Sequence, residues 1–444
     1  MSCVSSSLRL ISLDLLFQEI FIAIDPLRDS SKQRQRIQTM MHSPVINQNV
    51  RRVHLCDLGV REFSINNILR TMTKGLLPKS AFQTPMDSFL ATFHCLGKLY
   101  ALTVEGVSLE ECEYMTILSA PTLRRLRIRN ASLKGPRCQP VVSTVTDLEV
   151  YWSQEMEGLA VQLFLDLAPT LQYVLVDTSV ELPPHFNLPE AHHIHTFHLI
   201  SRAVQPAIFY SQTLNSFLLQ SPNIVNLKFE IEGYLDYTPP PSSLPSLNRL
   251  ALLTHSMPRK WTSNRKLQRL ELTHAEHSWS NPKAIARCTA AAASIVQLHL
   301  TIEWLVAATT LHLVASSSNS FMSVFLIIRP REGFVETVEN FAHTAIEPWT
   351  AVGNLDITFE WNGDRSDLLE LGAFRHWFKA RVEDECGKVK KARFDIWRRG
   401  YGISRRFDAS KDDIWWWESW DCQSREWQRS RDWGIPGFQH CGNN

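Results

Sequence analysis

His192, His193, His195 and His198 form the sharpest metal-like cluster in this chain of 444 residues. Imidazoles brought together would suit zinc or copper. Their spacing argues otherwise. Ile194, Phe197 and Leu199 hold the apolar positions of a repeat described below, which scatters the histidines over a loop and over different sides of a strand. No Cys, Asp or Glu lies within the cluster to complete a ligand set. No metal and no other cofactor is expected.

The carboxylate pairs Glu110-Glu111 and Asp412-Asp413 adjoin in sequence, so they diverge on most backbones and read as solvated charge. The chain carries no G-x-S-x-G elbow, phosphate-binding loop, H-E-x-x-H or G-x-G-x-x-G sequence. An enzyme is therefore not expected. Trp415, Trp416, Trp417, Trp420, Trp427 and Trp433 offer flat faces for a sugar or a base. In a segment without a recognisable module they read instead as a cap or tail over the end of the repeats.

What remains is charge displayed in order. Arg52/His54, Arg125/Arg127, Asp147/Glu149, Thr196/His198, Asn226/Lys228, Arg249/Ala251, Arg269/Glu271, Gln297/His299 and Asn354/Asp356 recur as pairs around the inner apolar residue of one pattern. A groove for phosphate backbones would be mostly Arg and Lys. This mixture of signs suits a protein surface of complementary charge. Arg125, Arg127, Asp147, Glu149, His198, Lys228, Arg249, Arg269, Glu271 and His299 are accordingly the candidate partner-binding residues, and the protein they would bind is not named by the sequence.

The pattern that positions these pairs is apolar-x-x-apolar-x-apolar. Its copies begin at Val50, Leu99, Leu123, Val145, Leu171, Ile194, Ile224, Leu247, Leu267 and Ile295, with weaker ones at Met322, Val352 and Val389. From 99 to 352 they start about 20 to 30 residues apart, the period of a leucine-rich-repeat array. The last two apolar residues of each copy share one side of a short strand. No single copy buries that side alone, so neighbours must stack. The expected fold is α/β: a leucine-rich-repeat-like solenoid with parallel strands on one face and helices or irregular returns on the other. Met156–Leu167 and Ile208–Gln220 read as return helices.

A short helical segment is expected before the repeats. Leu13, Leu16, Phe17, Ile20, Phe21 and Ile24 fall at i, i+3, i+4, i+7, i+8 and i+11, and Asp25-Pro26 ends the run. The polar stretch Ser30 to Arg36 reads as a linker or an exposed helix start. Three regions follow: residues 1–45 helical, 46–398 repeats, and 399–444 a tryptophan-rich end.

Composition sets limits. Forty-six basic against 45 acidic residues give a net charge of +1, which argues against a dedicated nucleic-acid binder. Nine cysteines, odd in number and without a C-x-x-C pair, suggest reduced thiols in the cytoplasm or nucleus. Asp14, Gln18, Glu19 and Asp25 break the early apolar stretch, and no apolar run reaches the roughly 18 residues of a membrane span.

Leu16-Phe17-Gln18-Glu19-Ile20-Phe21-x-x-Ile24-Asp25-Pro26, set before such repeats, resembles the first helix of an F-box. The chain is similar to the F-box proteins with degenerate leucine-rich repeats found in mushroom-forming fungi. The resemblance implies that Leu16, Phe17, Ile20, Phe21, Ile24 and Pro26 dock the adaptor subunit of an SCF-type ubiquitin ligase while the repeats hold a protein substrate. Asp14 and Leu15 depart from the family pattern, and the polar Asp29 to Arg36 stands where a second apolar helix belongs, so the implied box is truncated. The other reading is an adaptor-free repeat scaffold whose N-terminal helix caps the array.

Overall fold

The computed structural model describes residues 17–24, 30–57, 80–134, 142–152, 157–178, 192–201, 214, 216–231, 243–253, 262, 265–273, 281–291, 294–303, 309–310, 312–314 and 323–329. It also describes the backbone of the strands at 354–361, 391–398, 401–408, 416–421 and 426–430. The chain divides into two compact units, Met1–Ile224 and Val225–Asn444. Each is an α/β unit built on a parallel sheet.

In the first unit, seven strands run parallel in the order β1 (Glu19–Ile24), β2 (Arg52–Asp57), β3 (Ala101–Glu105), β5 (Arg125–Arg129), β7 (Asp147–Trp152), β8 (Tyr173–Thr178) and β9 (Thr196–Ser201). Two short strands, β4 (Ser108–Glu110) and β6 (Ser132–Lys134), pair parallel in a sheet of their own. The turns that lead into them are matched. Gly106 (φ 71°) and Asn130 (φ 47°) both take left-handed backbone, which these two residue types tolerate best. The returns are α1 (Ser30–Met41), α2 (Pro44–Asn49), α3 (Ser80–Phe93), α4 (Glu111–Leu118) and α5 (Glu157–Leu167). Helix α1 packs on α3, and α3 on α4, so the returns stack as the strands do.

The second unit repeats the plan. Its parallel strands are β10 (Asn226–Ile231), β11 (Arg249–Leu253), β12 (Arg269–Thr273), β13 (Gln297–Glu303), β14 (Ser323–Arg329), β15 (Asn354–Trp361) and β16 (Lys391–Arg398). Helix α6 (Pro282–Ala291) is one of its returns. After β16 the direction alternates: β17 (Tyr401–Asp408), β18 (Trp416–Asp421) and β19 (Glu426–Ser430) are antiparallel. Much of the tryptophan-rich end is thus strand backbone, with Trp420 opposite Trp427. Trp415 and Trp433 lie outside the described residues.

The copies from Val50 to Ile295 fall on β2, β3, β5 and β7 to β13. Their inner pairs, such as Leu126/Ile128 and Leu270/Leu272, are at most 2% exposed. Full burial of one such side chain contributes about 1.5–3 kcal/mol, and stacking repeats that gain at every strand. Two polar devices fix the spacing. The carbonyl of the residue before each strand accepts the first two amides of the next copy: Gln18 from Arg51 and Arg52, Arg51 from Tyr100 and Ala101, and Tyr100 from Arg124 and Arg125. Val225, Asn248 and Gln268 do the same in the second unit. Hydroxyls then tie copy to copy, Thr144 to Leu123 O (2.9 Å), Thr170 to Val145 O (2.7 Å) and Ser294 to Leu267 O (2.8 Å).

Helix α5 forms where the periodicity places it, with Leu159, Leu163 and Leu167 buried. In Ile208–Gln220, residues 216–220 are helical, and Leu214, Phe217 and Leu218 are buried. Of the two readings of Ser30 to Arg36, the exposed helix start holds, since the stretch opens α1.

Two expectations are corrected. The helix expected up to Ile24 is replaced at Glu19–Ile24 by strand β1, paired residue for residue with β2. This segment fits two periods at once: Ile20, Phe21 and Ile24 for a helix, and Ile20, Ile22 and Ile24 for a strand. The strand buries all three isoleucines (6%, 3% and 3% exposed) and leaves Phe21 46% exposed. β-Branched residues favour that outcome, and an adjacent apolar edge decides it. Second, the copy at Met322 is one residue out of phase. Register with β13 puts Val324 and Leu326 opposite Leu298 and Leu300, and turns Phe325 outward. The run Val324 to Ile328 is apolar throughout, so only pairing sets which residues face in.

Ile22→Ala should therefore cost about 2–4 kcal/mol in urea unfolding, whereas Phe21→Ala should cost less than about 1 kcal/mol. A helix with Phe21 on its packed face requires the reverse ranking.

Candidate protein-binding face

Residues between the buried ones point away from the core, and parallel register lines them up across neighbouring strands. In the first unit the middle row runs Phe21, His54, Thr103, Arg127, Glu149, Leu175 and His198. The row before it holds Glu19, Arg52, Ala101, Arg125, Asp147, Tyr173 and Thr196 in the same order. The row after it holds Glu105, Arg129, Tyr151 and Asp177 side by side.

Two buried carboxylates organise this surface. The Glu149 side chain is 6% exposed; Arg127 Nε donates to its Oε2 at 2.6 Å, and Arg125 Nε lies 3.8 Å from its Oε1. Burial pulls the Arg127 guanidinium down, but the bond to Glu149 and that carboxylate's charge outweigh it and hold Arg127 above the ordinary arginine value. Glu105, 8% exposed, meets His54 Nε2 at 3.0 Å and Arg129 Nη1 at 3.7 Å. Arg129 also lies over the Tyr151 ring at 4.6 Å, a cation–π contact. Burial, then Glu149, pushes the neighbouring Tyr173 phenol up, so it keeps its proton as a donor.

The consequence is asymmetric. The acids are covered, while Arg125, Arg127 and Arg129 remain 44–49% exposed. A guanidinium already held by a buried carboxylate or an aromatic ring loses less freedom when it binds. Arginine and tyrosine are also the residues most enriched among binding hot spots.

In the second unit, Arg249 Nη2 lies 2.9 Å and Arg269 Nη2 3.6 Å from Glu271 Oε2. Burial alone would raise Glu271; the bond from Arg249 and the charge of Lys228 keep it below the usual carboxylate value. Lys228 pairs with Glu230 at 2.6 Å. His299 stacks on Phe325 with ring centroids 4.2 Å apart. Burial first, and the Arg269 charge second, lower His299 to about 4. The imidazole is thus neutral near pH 7, and Nδ1 accepts from Arg269 at 3.3 Å. This places the ring proton on the buried Nε2.

All ten residues expected on the partner-binding face lie on outward strand positions. They do not form one cluster: Arg125, Arg127, Asp147, Glu149 and His198 belong to the first unit and the rest to the second. Glu105, Arg129, Tyr151, Phe21 and Phe325 are additions. The first three stand one position beyond the last apolar residue of a copy, so counting outward positions to the strand's end would have found them. Of the residues expected to dock an adaptor, Ile20 and Ile24 are core, Phe21 is outward with its ring edge-on to His54 (4.8 Å), and Phe17 lies in the turn two residues before β1. Leu16 and Pro26 lie outside the described residues. His192, His193 and His195 are exposed around the buried Ile194, while His198 sits on β9. Among the described residues no helix is long and apolar enough to cross a membrane. Comparison with protein-family models and with curated proteins returns no match.

His299 gives a pH signature. Its folded value lies below its ordinary 6.5, so between about pH 4 and 6.5 the unfolded chain binds a proton that the folded chain refuses. Stability present above that window should fall as pH drops through it. Urea midpoints across the window should decline less steeply for His299→Gln than for the wild type; parallel declines would contradict the burial of this imidazole.

Proposed function

We propose that both units are leucine-rich-repeat-type stacks, and that the chain is a protein-interaction module whose outward strand rows bind a protein partner. The observation that carries this reading is the set of half-exposed arginines, Arg125, Arg127 and Arg129, held in place by buried Glu149 and Glu105. Acids sunk beneath bases give a surface that meets its partner with basic, forked donors. It suits a protein segment bearing carboxylates, recognised by paired guanidinium bonds.

The substrate-receptor role in a ubiquitin ligase requires residues 13–26 to dock an adaptor as a helix. Strand β1, with Ile20 and Ile24 inside the sheet, favours the adaptor-free form of the reading. Ligase-receptor function is the alternative, and purified SCF adaptor subunit distinguishes the two. The full chain should fail to capture it; capture that Ile20→Ala/Phe21→Ala abolishes, with the repeats still folded, would restore the ligase role.

The face itself is tested by Arg125→Gln/Arg127→Gln/Glu149→Gln, which removes the cluster without stranding a buried carboxylate. Quantitative affinity capture from the native cell should show at least one protein depleted about tenfold or more by this variant. Leu165→Gln, at an exposed leucine of α5, should retain it. Identical protein sets for all three forms would contradict the proposal.

A further inference from the structure

The first unit has a concave site of about 660 Å³ at the N-terminal edge of its strands, lined in part by Gln18, Arg51, Arg52, Lys98, Tyr100 and Arg124. The register explains why these residues meet. Gln18, Arg51, Tyr100 and Arg124 are the pre-strand residues of successive strands, each linked to the next through its carbonyl. They stand in a row at the spacing of a parallel sheet, about 4.8 Å. Lys98, two residues before Tyr100, also lines the site.

Four cations and no carboxylate line the site. Arg52 is paired with Glu19 at 3.1 Å, and Arg124 Nη1 donates to Thr144 O at 2.9 Å. Among the described residues Arg51 and Lys98 have no ion-pair partner, and both are exposed. Even with Glu19 counted, three positive charges are in excess. Tyr100, 48% exposed, adds an aromatic wall.

We infer that this cavity binds a phosphomonoester dianion, presented by a phosphorylated peptide side chain or as free phosphate. Guanidinium forks match phosphate oxygens in pairs, and an ammonium adds a point charge. A dianion answers the charge excess better than a single carboxylate does. The site is too local for a nucleic-acid backbone. Such a ligand needs a continuous basic track, and along the outward rows Glu19, Asp147 and Asp177 interrupt one. The inference is independent of the outward-face proposal, because it uses the strand edge and none of the Arg125, Arg127 and Arg129 set.

The test is calorimetric titration of the full chain with three probes: inorganic phosphate, a phosphoserine peptide with neutral flanks, and the same peptide unphosphorylated. Arg51→Gln/Lys98→Gln is compared beside the wild type. The phosphopeptide should bind and its unphosphorylated twin should not. The double variant should bind roughly tenfold more weakly or worse, since two charge-assisted bonds are lost. Phosphate should compete and should slow acetylation of Lys98, mapped by mass spectrometry on the wild type. If the double variant loses its melting transition, Lys98→Gln alone and the acetylation readout carry the test. Binding of phosphate without the peptide, equally reduced in the variant, upholds the anion site and names the free anion as its ligand. Four results overturn the inference: no binding of either anion, equal binding of the unphosphorylated peptide, undiminished binding by the variant, or tighter binding of a single-stranded oligothymidine than of the phosphopeptide.

Discussion

One carbonyl accepting two amides, at the entry to strand after strand, is the constraint on which each unit depends. A parallel strand has no hairpin to set its register, so something else must prevent a slip of one residue. Here the first two amides of a copy are fixed to the carbonyl that ends the previous copy's approach. Everything downstream inherits that alignment. Leucine meets leucine inside, and outward residues fall into rows outside. A slip would exchange the two sets along a whole strand.

Those rows let a chain of nearly zero net charge present a locally biased surface. Glu149 and Glu105 contribute little to the exposed face because arginines and a histidine cover them. Their function is positional. Deleting either would strand cations that have settled around it, whereas deleting both cations around one would leave a buried carboxylate unpaired, the costlier loss. The same register brings Arg51, Tyr100 and Arg124 together at the strand entrance, although they are widely spaced in the chain. Face and entrance are two products of one alignment.

Much of this was legible in the sequence. The repeat spacing gave the inner pairs of β2, β3, β5 and β7 to β13, because apolar residues recur there at one fixed spacing and, outside β8 and β11, alternate with polar ones. Legibility ended where the pattern was ambiguous. Glu19 to Ile24 satisfies a helix and a strand equally, and only the neighbouring edge of β2 decides between them. Val324 to Ile328 is apolar at every position, so its phase comes from pairing with β13. The third outward row lies one position past the last apolar residue of each copy, where the repeat imposes no residue type. The hydroxyls of Thr144, Thr170 and Ser294 were visible as residue types, but their role depends on carbonyls about one repeat away. The basic cavity follows no local motif, since it is assembled from one or two residues of each successive copy.

The register is tested most directly at β1, where the sequence admits a helix as well as a strand. Cysteine-pair cross-linking tests it there. Phe21 and His54 are register partners on the outward side of β1 and β2, and adjacent strands lie about 4.8 Å apart, within the span that a disulfide bridges. Oxidation of Phe21→Cys/His54→Cys, mapped by mass spectrometry, should link positions 21 and 54 rapidly, and Glu19→Cys/His54→Cys should link far more slowly. Absence of the 21–54 link, or equal rates for the two pairs, would contradict the stacked parallel register from which the core, the outward face and the strand-edge cavity all derive.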